Sequence, residues 1–392
     1  MTQPEMAPWP RYEQDEIDAV AEVLRSGKVN YWTGTQGREF EREFAEFTGV
    51  KHAVFVANGT VALELALRAL DLPAGSEVIT TPHTFIATAS AIVAVGLRPV
   101  FADIDPDTGN ITPETIEAVT TPRTSAVVVV HLGGWPARMP EIQALCQAQG
   151  LRVVEDCAQA HGAMIGGRHV GTFSDVAAWS FCQDKIISTG GEGGMVATDD
   201  AELWRRMWSY KDHGKSWEAV YEREHPPGFR WLHESFGSNY RGTEMQAAIG
   251  RIQCRKLPMW HKQRTENALY LAELLDAIPG LRVPRPTADE THAYYRLYAR
   301  LDLGLLRTGW DRDRLIGTMG AQGHSLSIGS TTEAYREKAF KHLDTGLRES
   351  LPGAAQRGID ALALPVHPGL KTEELVALSE ALAATLRRIG SQ

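Results

Sequence analysis

The chain is poor in cysteine, in long apolar runs and in clustered positive charge. Only Cys146, Cys157, Cys182 and Cys254 occur in 392 residues. None forms a C-x-x-C pair and no His/Cys cluster has zinc spacing, so neither a disulfide framework nor a metal site is expected. No run of about 18 apolar residues exists, so no membrane span is expected. The first residues, MTQPEMAPWP, have no basic n-region and no apolar h-region. A signal peptide is therefore not expected, and the protein reads as cytoplasmic. Forty Lys and Arg stand against 49 Asp and Glu, a net charge of −9. With no basic block to neutralise phosphates, nucleic acid is not an expected partner.

What is present fits a globular chain with room for a buried ligand: 43% hydrophobic and 23% charged residues, in ordinary balance. The length exceeds one ordinary domain. Gln14–Ser26 reads as a helix, with Ile17, Val20, Ala21 and Leu24 near helical spacing. Arg38–Phe47 repeats the pattern. Ala53–Ala57 reads as a buried strand that opens a helix at Asn58-Gly59-Thr60. Glu77–Thr80, Pro99–Ala102, Ala126–Leu132, Arg152–Asp156, Val176–Phe181 and Met195–Thr198 are further strands. Helices over Phe85–Val95 and Pro140–Gln149 fall between them. Such alternation, with near-continuous apolar strands, predicts an α/β fold with a mostly parallel sheet covered on both faces.

Beyond Ala201 the pattern loosens. Tyr210–Phe236 is polar and rich in aromatics, and reads as an excursion from the core. Thr243–Cys254 and Trp260–Ala277 read as two helices. Pro279, Pro284 and Pro286 lead into a smaller C-terminal α/β unit, with a strand over Ala293–Leu301, a helix from Asp311 and a last helix over Thr372–Arg388. The boundary is placed near Pro258, giving a large unit of residues 1–257 and a small one of residues 258–392.

The chemistry concentrates between Glu155 and Gly194. The segment holds EDCAQAHG (Glu155–Gly162), WSFCQDK (Trp179–Lys185) and GGEGG (Gly190–Gly194). A lone lysine is usually a surface charge. Lys185 instead lies between a strand ending in Ser180-Phe181 and a glycine-rich turn. A desolvated lysine in such a place is a nucleophile for carbonyls. Asp156 closes a strand, and ligands of open α/β sheets sit beyond strand carboxyl ends. A helix N-cap is the ordinary account of such an aspartate. Together, lysine and aspartate suit pyridoxal phosphate (PLP): the lysine carries the aldehyde as a Schiff base, and the carboxylate pairs with the protonated ring nitrogen.

Three weaker signals agree. Gly59 and Thr60 sit at a strand-to-helix junction, where backbone N–H groups and a hydroxyl bind phosphate; Ser180 is a second hydroxyl. Phe85, in TTPHTFIATAS, could stack on a planar ring, although a core aromatic is the commoner role for one Phe. Gln159 and His161 follow Asp156 closely and could bond a ring hydroxyl or orient Asp156; a polar helix start explains them nearly as well.

Taken in order, these segments resemble the DegT/DnrJ/EryC1/StrS family of sugar aminotransferases. The resemblance runs through FEREFAEFTGVKHAVFVANGTVALELAL (Phe40–Leu67), PHTFIATASAI (Pro82–Ile92), EDCAQAHGA (Glu155–Ala163), SFCQDKIISTGGEGGMVATDD (Ser180–Asp200), GSNYRGTEMQAAIGRIQ (Gly237–Gln253) and LPVHPGL (Leu364–Leu370). It implies a fold-type-I PLP-dependent transferase and a homodimer with shared active sites. It further implies that Lys185 is the Schiff-base lysine, Asp156 the partner of the ring nitrogen and Gln159 the residue beside the ring hydroxyl. Gly59, Thr60 and Ser180 match phosphate ligands and Phe85 the stacking aromatic. Asn239 matches an asparagine that reaches the phosphate from the neighbouring subunit. Tyr240, Arg241, His161 and His367 are candidate substrate-binding residues.

The implied activity is transfer of an amino group from glutamate or glutamine to a ketosugar or sugar aldehyde, for amino-sugar or polysaccharide biosynthesis. Tyr210–Phe236 and His324–Leu351 depart from the family pattern. The first looks more like members acting on a higher sugar acid, such as an eight-carbon ulosonate, than like nucleotide-sugar members. The rivals are a cyclitol aminotransferase, a PLP-dependent sugar dehydratase and a non-catalytic PLP-binding regulator. A dehydratase would carry histidine where Lys185 stands. A regulator would be expected to bring a DNA-binding module, and no helix-turn-helix or basic stretch is visible.

Overall fold

The structure is a computed structural model and describes residues 6–228, 230–345, 347 and 349–390. Two amphipathic helices come first, α1 (Gln14–Ser26) and α2 (Gln36–Thr48), each stopped by a left-handed glycine, Gly27 and Gly49. Then strands and helices alternate: β1 (His52–Val56), α3 (Gly59–Ala69), β2 (Glu77–Thr80), α4 (Ala87–Ala94), β3 (Arg98–Phe101), α5 (Pro113–Glu117), β4 (Thr124–Val130), α6 (Met139–Gln149) and β5 (Arg152–Asp156). A small hairpin of β6 (Met164–Ile165) and β7 (Arg168–His169) precedes β8 (Val176–Ser180) and β9 (Gly194–Thr198).

The main sheet has seven strands in the order β1-β9-β8-β5-β4-β2-β3. Every neighbouring pair is parallel except those made by β9, which runs against both β1 and β8. Side chains alternate across it as strand geometry requires. In β4, Ala126 and Val128 join the core under α3, while Val127 and Val129 join the one under α6. Both faces are therefore dry, which explains why the strands read as unbroken apolar runs. The predicted α/β class and mostly parallel sheet are borne out.

Past the sheet come α7 (Ala201–Lys211), α8 (Trp217–Tyr221) and α9 (Glu244–Asp276). Then β10 (Leu281–Arg282), β12 (Leu297–Leu301) and β13 (Ala361–Leu364) form a separate antiparallel sheet, with α10 (Arg312–Ala321), α11 (Pro352–Asp360) and α12 (Thr372–Ile389) around it. Strand β11 (Glu290–Thr291) pairs instead with β6. Leu271 and Leu275 of α9, Leu315 of α10 and Leu378 and Leu382 of α12 share this smaller core.

Two readings of the sequence need correction. The helices expected over Thr243–Cys254 and Trp260–Ala277 are one helix of 33 residues with Pro258 inside it. A proline removes one helical hydrogen bond. Burial of Leu257 and Trp260 on either side, and a capping box between Thr243 and Gln246, keep the helix whole. The 257/258 division thus falls within α9. The excursion expected from Tyr210 begins inside α7, and Lys211, Asp212 and Leu232 of that stretch are buried. Among the described residues, no helix is long and apolar enough to cross a membrane.

Candidate active site

The carboxyl ends of β4, β5 and β8 and the start of α3 enclose a cavity of about 730 Å³. Its walls include Gly59, Thr60, Phe85, Asp156, Gln159, Ser180 and Lys185, so seven of the residues singled out in the sequence meet in one place.

One end of the cavity is a helix N-terminus. The Asn58 side chain accepts from Val61 N at 3.0 Å, and its carbonyl accepts from Ala62 N at 3.2 Å. The N–H groups of Gly59 and Thr60 lie in the first turn, where a helix offers no internal acceptor. Beside them stand the Thr60 and Ser180 side chains. The approach is so close that a Cβ on residue 59 would come within 2.6 Å of Ser180 Cβ. A Cβ on Gly194 would meet the Asn58 carbonyl oxygen at 2.4 Å. These two glycines let α3, β8 and β9 converge on one donor-rich spot.

Asp156 stands at the end of β5 and is 4% exposed. Its Oδ2 accepts from Thr88 Oγ1 at 2.9 Å, and Thr88 shares a 2.8 Å hydroxyl contact with Thr84. Its Oδ1 accepts from Ala158 N at 3.2 Å. Burial pushes its pKa up, and the bonds from Thr88 and Ala158 and the charge of Lys185 offset this only partly. The N-cap account of Asp156 does not hold, because the chain turns rather than forming a helix after Cys157. Glu155 points the other way. Its carboxylate accepts from Gly171 N at 2.7 Å and Phe173 N at 3.0 Å, and meets His131 Nε2 at 3.1 Å. His131 Nδ1 accepts from Ala137 N at 3.0 Å. The buried His131–Glu155–Cys157 group thus spends its carboxylate and ring nitrogens on structural hydrogen bonds.

Gln159 is held at both ends of its amide: Oε1 accepts from Gly133 N at 2.7 Å, and Nε2 donates to Ser330 Oγ at 3.1 Å. Lys185 reaches the cavity from a tight turn closed by its own N–H donating to the Cys182 carbonyl at 3.1 Å. Trp9 Nε1 donates to the Lys185 carbonyl at 2.9 Å and anchors that turn. Lys185 Nζ lies 3.6 Å from Asp184 Oδ1 and 5.1 Å from the centre of the Tyr295 ring. Phe85 precedes α4 and is 68% exposed. It is a rim aromatic, and the core role weighed for it is overturned.

The other candidates lie elsewhere. His161 is fully buried behind the wall, its ring 5.1 Å from Trp179 and 5.7 Å from Phe181. Burial, with the charges of Lys185 and Arg264, pushes its pKa down to about 3, so the ring is neutral. His367 stacks on Trp9 at 5.7 Å, and burial with Arg264 and Arg296 lowers it to about 3 as well. Neither lines the cavity. Asn239 bridges to Asp212, Tyr240 Oη donates to Glu64 at 2.8 Å, and Arg241 donates to Asp212 at 2.7 Å. This segment does not line the cavity of its own chain.

The sequence reading missed Thr88, Asp184, Tyr295 and Arg296, all of which line the cavity. Thr88 had a signal, standing one helical turn after Thr84. Tyr295 and Arg296 had none, since they arrive from the C-terminal unit.

Fold and cavity together define a fold-type-I transaminase. The chain belongs to the DegT/DnrJ/EryC1/StrS aminotransferase family, whose profile matches residues 10–383. It is 38% identical over 374 residues to a UDP-N-acetyl-3-dehydro-alpha-D-glucosamine 3-aminotransferase of Acidithiobacillus ferrooxidans, covering 95% of this chain and 94% of that one. It is 35% identical over 371 residues to a dTDP-3-amino-3,4,6-trideoxy-alpha-D-glucose transaminase of Streptomyces venezuelae, covering 95% and 92%. A solved aminotransferase from Psychrobacter cryohalolentis is 50% identical, with a TM-score of 0.95, over 98% of this chain and 99% of that one.

Proposed function

We propose that this aminotransferase uses PLP to move an amino group from glutamate or glutamine onto the carbonyl of a nucleotide-linked ketosugar. One observation carries the reading: Lys185 and Asp156 face a single cavity whose far wall is the donor-rich start of α3.

The residues fit the cofactor. The N–H groups of Gly59 and Thr60, with the Thr60 and Ser180 hydroxyls, would hold its phosphate, and a side chain at position 59 would fill that cradle. Asp156 is a buried carboxylate whose pKa is raised. A protonated ring nitrogen supplies the counter-charge that such a group lacks. Gln159 would sit beside the ring hydroxyl, and Phe85 would cover the ring face. Bound there, PLP supplies an electron sink for the carbanion at the donor's α-carbon.

The chain's own groups do the rest. Lys185 would hold the cofactor's aldehyde through Nζ, and when the donor's amine has taken its place the free Nζ would take up and return the α-proton. Asp156 would keep the ring nitrogen protonated, and the Gln159 amide is held in one orientation by Gly133 and Ser330. One site serves donor and acceptor in turn, so the kinetics are ping-pong. We further propose that Asn239, with Tyr240 and Arg241, completes the site of a partner subunit in a two-fold dimer.

The relatives' substrates support a nucleotide-linked 3-ketosugar over a free sugar acid. The test is incubation with glutamate and a panel of acceptors, read by mass spectrometry. The panel holds UDP- and dTDP-linked 3-ketosugars and an eight-carbon ketosugar acid. An aminated nucleotide sugar is the expected product. Amination of the sugar acid alone would overturn the nucleotide assignment, and amination of none would overturn the acceptor class.

A further inference from the structure

Asp184 precedes the lysine in SFCQDK, and adjacent residues in an extended chain point to opposite sides. The tight turn at Cys182–Lys185 removes that constraint, so both side chains project onto the cavity wall. The two oxygens of Asp184 then face different partners. Oδ1 lies 3.6 Å from Lys185 Nζ, and Oδ2 accepts the hydroxyl of Tyr295. Tyr295 is buried and stands just before β12, 111 positions along the chain. Lys185 Nζ also sits over the Tyr295 ring, 5.1 Å from its centre. Lysine, carboxylate and phenol thus close a ring of contacts between the main sheet and the C-terminal unit.

We infer that Asp184 is a positioning residue: fixed by Tyr295, its carboxylate holds the charged Lys185 amine against the cavity wall whenever the lysine is not attached to the cofactor. The inference rests on the aminotransferase reading above. In that reaction Nζ must be released, gain a proton and give it up without swinging away. A four-carbon side chain freed into a cavity of about 730 Å³ has many places to go. A carboxylate within 4 Å restricts them by charge, and the tyrosine restricts the carboxylate.

The surroundings agree. Partial burial acts to raise Asp184, but the charge of Lys185, the Tyr295 hydroxyl and the nearby Arg296 outweigh it and leave its pKa lowered, so it is ionised at working pH. Burial raises Tyr295 far enough that its hydroxyl keeps the proton it donates. The other charged or titratable groups around Lys185 are Cys182 of the same turn, Asp156 at the end of β5, His161 behind the wall, Glu192 of the glycine turn and Arg296. Asp184 is the one carboxylate within 4 Å of Nζ among the described residues.

The test compares wild type with Asp184→Asn and Asp184→Glu as full chains, cofactor-free for labelling so that Nζ is not held in the Schiff base, and loaded with PLP for kinetics. The Asp184 side chain is half-exposed at the cavity wall, so both variants should fold, which thermal melts check. The first readout needs no turnover: acetic anhydride labelling at pH 8, scored at the Lys185 peptide by mass spectrometry, with exposed Lys51 as internal reference. Without the carboxylate 3.6 Å away Nζ is no longer held against the wall, so Asp184→Asn should label Lys185 severalfold faster relative to Lys51, and Asp184→Glu close to wild type. The second readout is steady-state kinetics: kcat should fall about tenfold in Asp184→Asn, the KM for glutamate should stay within about twofold, and Asp184→Glu should restore kcat. Tyr295→Phe should move both readouts the same way by less. Unchanged labelling and kcat in Asp184→Asn would overturn the inference. A wild type without transaminase activity would instead overturn the function, while the labelling still judged the contact.

Discussion

Gly59 and Ser180 approach so closely that a single added carbon on Gly59 would lie 2.6 Å from Ser180 Cβ. This contact joins the start of α3 to the end of β8 and shapes the proposed phosphate cradle. Gly59→Ala must push the two apart. Overpacking of this kind costs about 1–3 kcal/mol, so the variant should melt at a lower temperature. Its affinity for PLP, titrated by absorbance, should fall by at least tenfold. Wild-type affinity in this variant would remove the cradle from that spot.

Asp156→Asn keeps the shape of the side chain and removes its charge. Turnover should drop by about 10²–10³-fold, the range for losing one electrostatic contact to the transition state, with the loss mainly in kcat. Stability of the cofactor-free protein should move the other way. Asp156 has a folded pKa above its unfolded value. Its favourable contribution is therefore present at pH below the unfolded pKa and is lost as pH rises through the folded one. Melts of the cofactor-free proteins should show Asp156→Asn more stable than wild type at pH 8, with the gap closing toward pH 4. A gap of opposite sign would contradict the burial argument.

Borohydride treatment of the yellow holoprotein should bleach it and leave the cofactor on Lys185 in the peptide map. Lys185→Ala should fold, take up no label and show no transamination. Label on any other lysine would reassign the nucleophile.

Mixing inactive Lys185→Ala and Asn239→Asp subunits should restore part of the activity. In a dimer with shared sites, one mixed site carries both defects and the other none. Subunit exchange demonstrated by mass, without recovery, would return Asn239 to its own subunit's site.

Much of this was legible in the sequence because the large unit is built from local signals. The run Ala126–Leu132, the acidic end of Arg152–Asp156 and the glycines at Gly190–Gly194 each mark one strand or turn, and the fold lines up their carboxyl ends. The C-terminal unit was harder. Its strand β12 occupies only the second half of the expected Ala293–Leu301, because Tyr294 has a positive φ of 48° that interrupts an extended chain. Pro258 was read as a break because local preference is all that a sequence displays, while the burial that overrides it belongs to the assembled core. Asp184 escaped notice for a related reason: its partner Tyr295 is fixed by tertiary packing alone. Phe85 could not be told from a core residue, because a cavity rim and a core select the same side chain.

Helix α9 has a mechanical consequence. Its 33 residues form a rod about 50 Å long, with one end just past the Asn239–Arg241 segment and the other in the small core. A rod neither stretches nor shortens under thermal forces, so the C-terminal unit can move against the main sheet only by tilting with it or bending it. Bending is easiest where the hydrogen-bond ladder lacks a rung, and Pro258, which offers no N–H to the Cys254 carbonyl, supplies that gap near mid-length. The helix is thus a jointed beam, and its joint lies between Ala247 and Cys254, packed in the main core, and Leu271 and Leu275, packed in the small one.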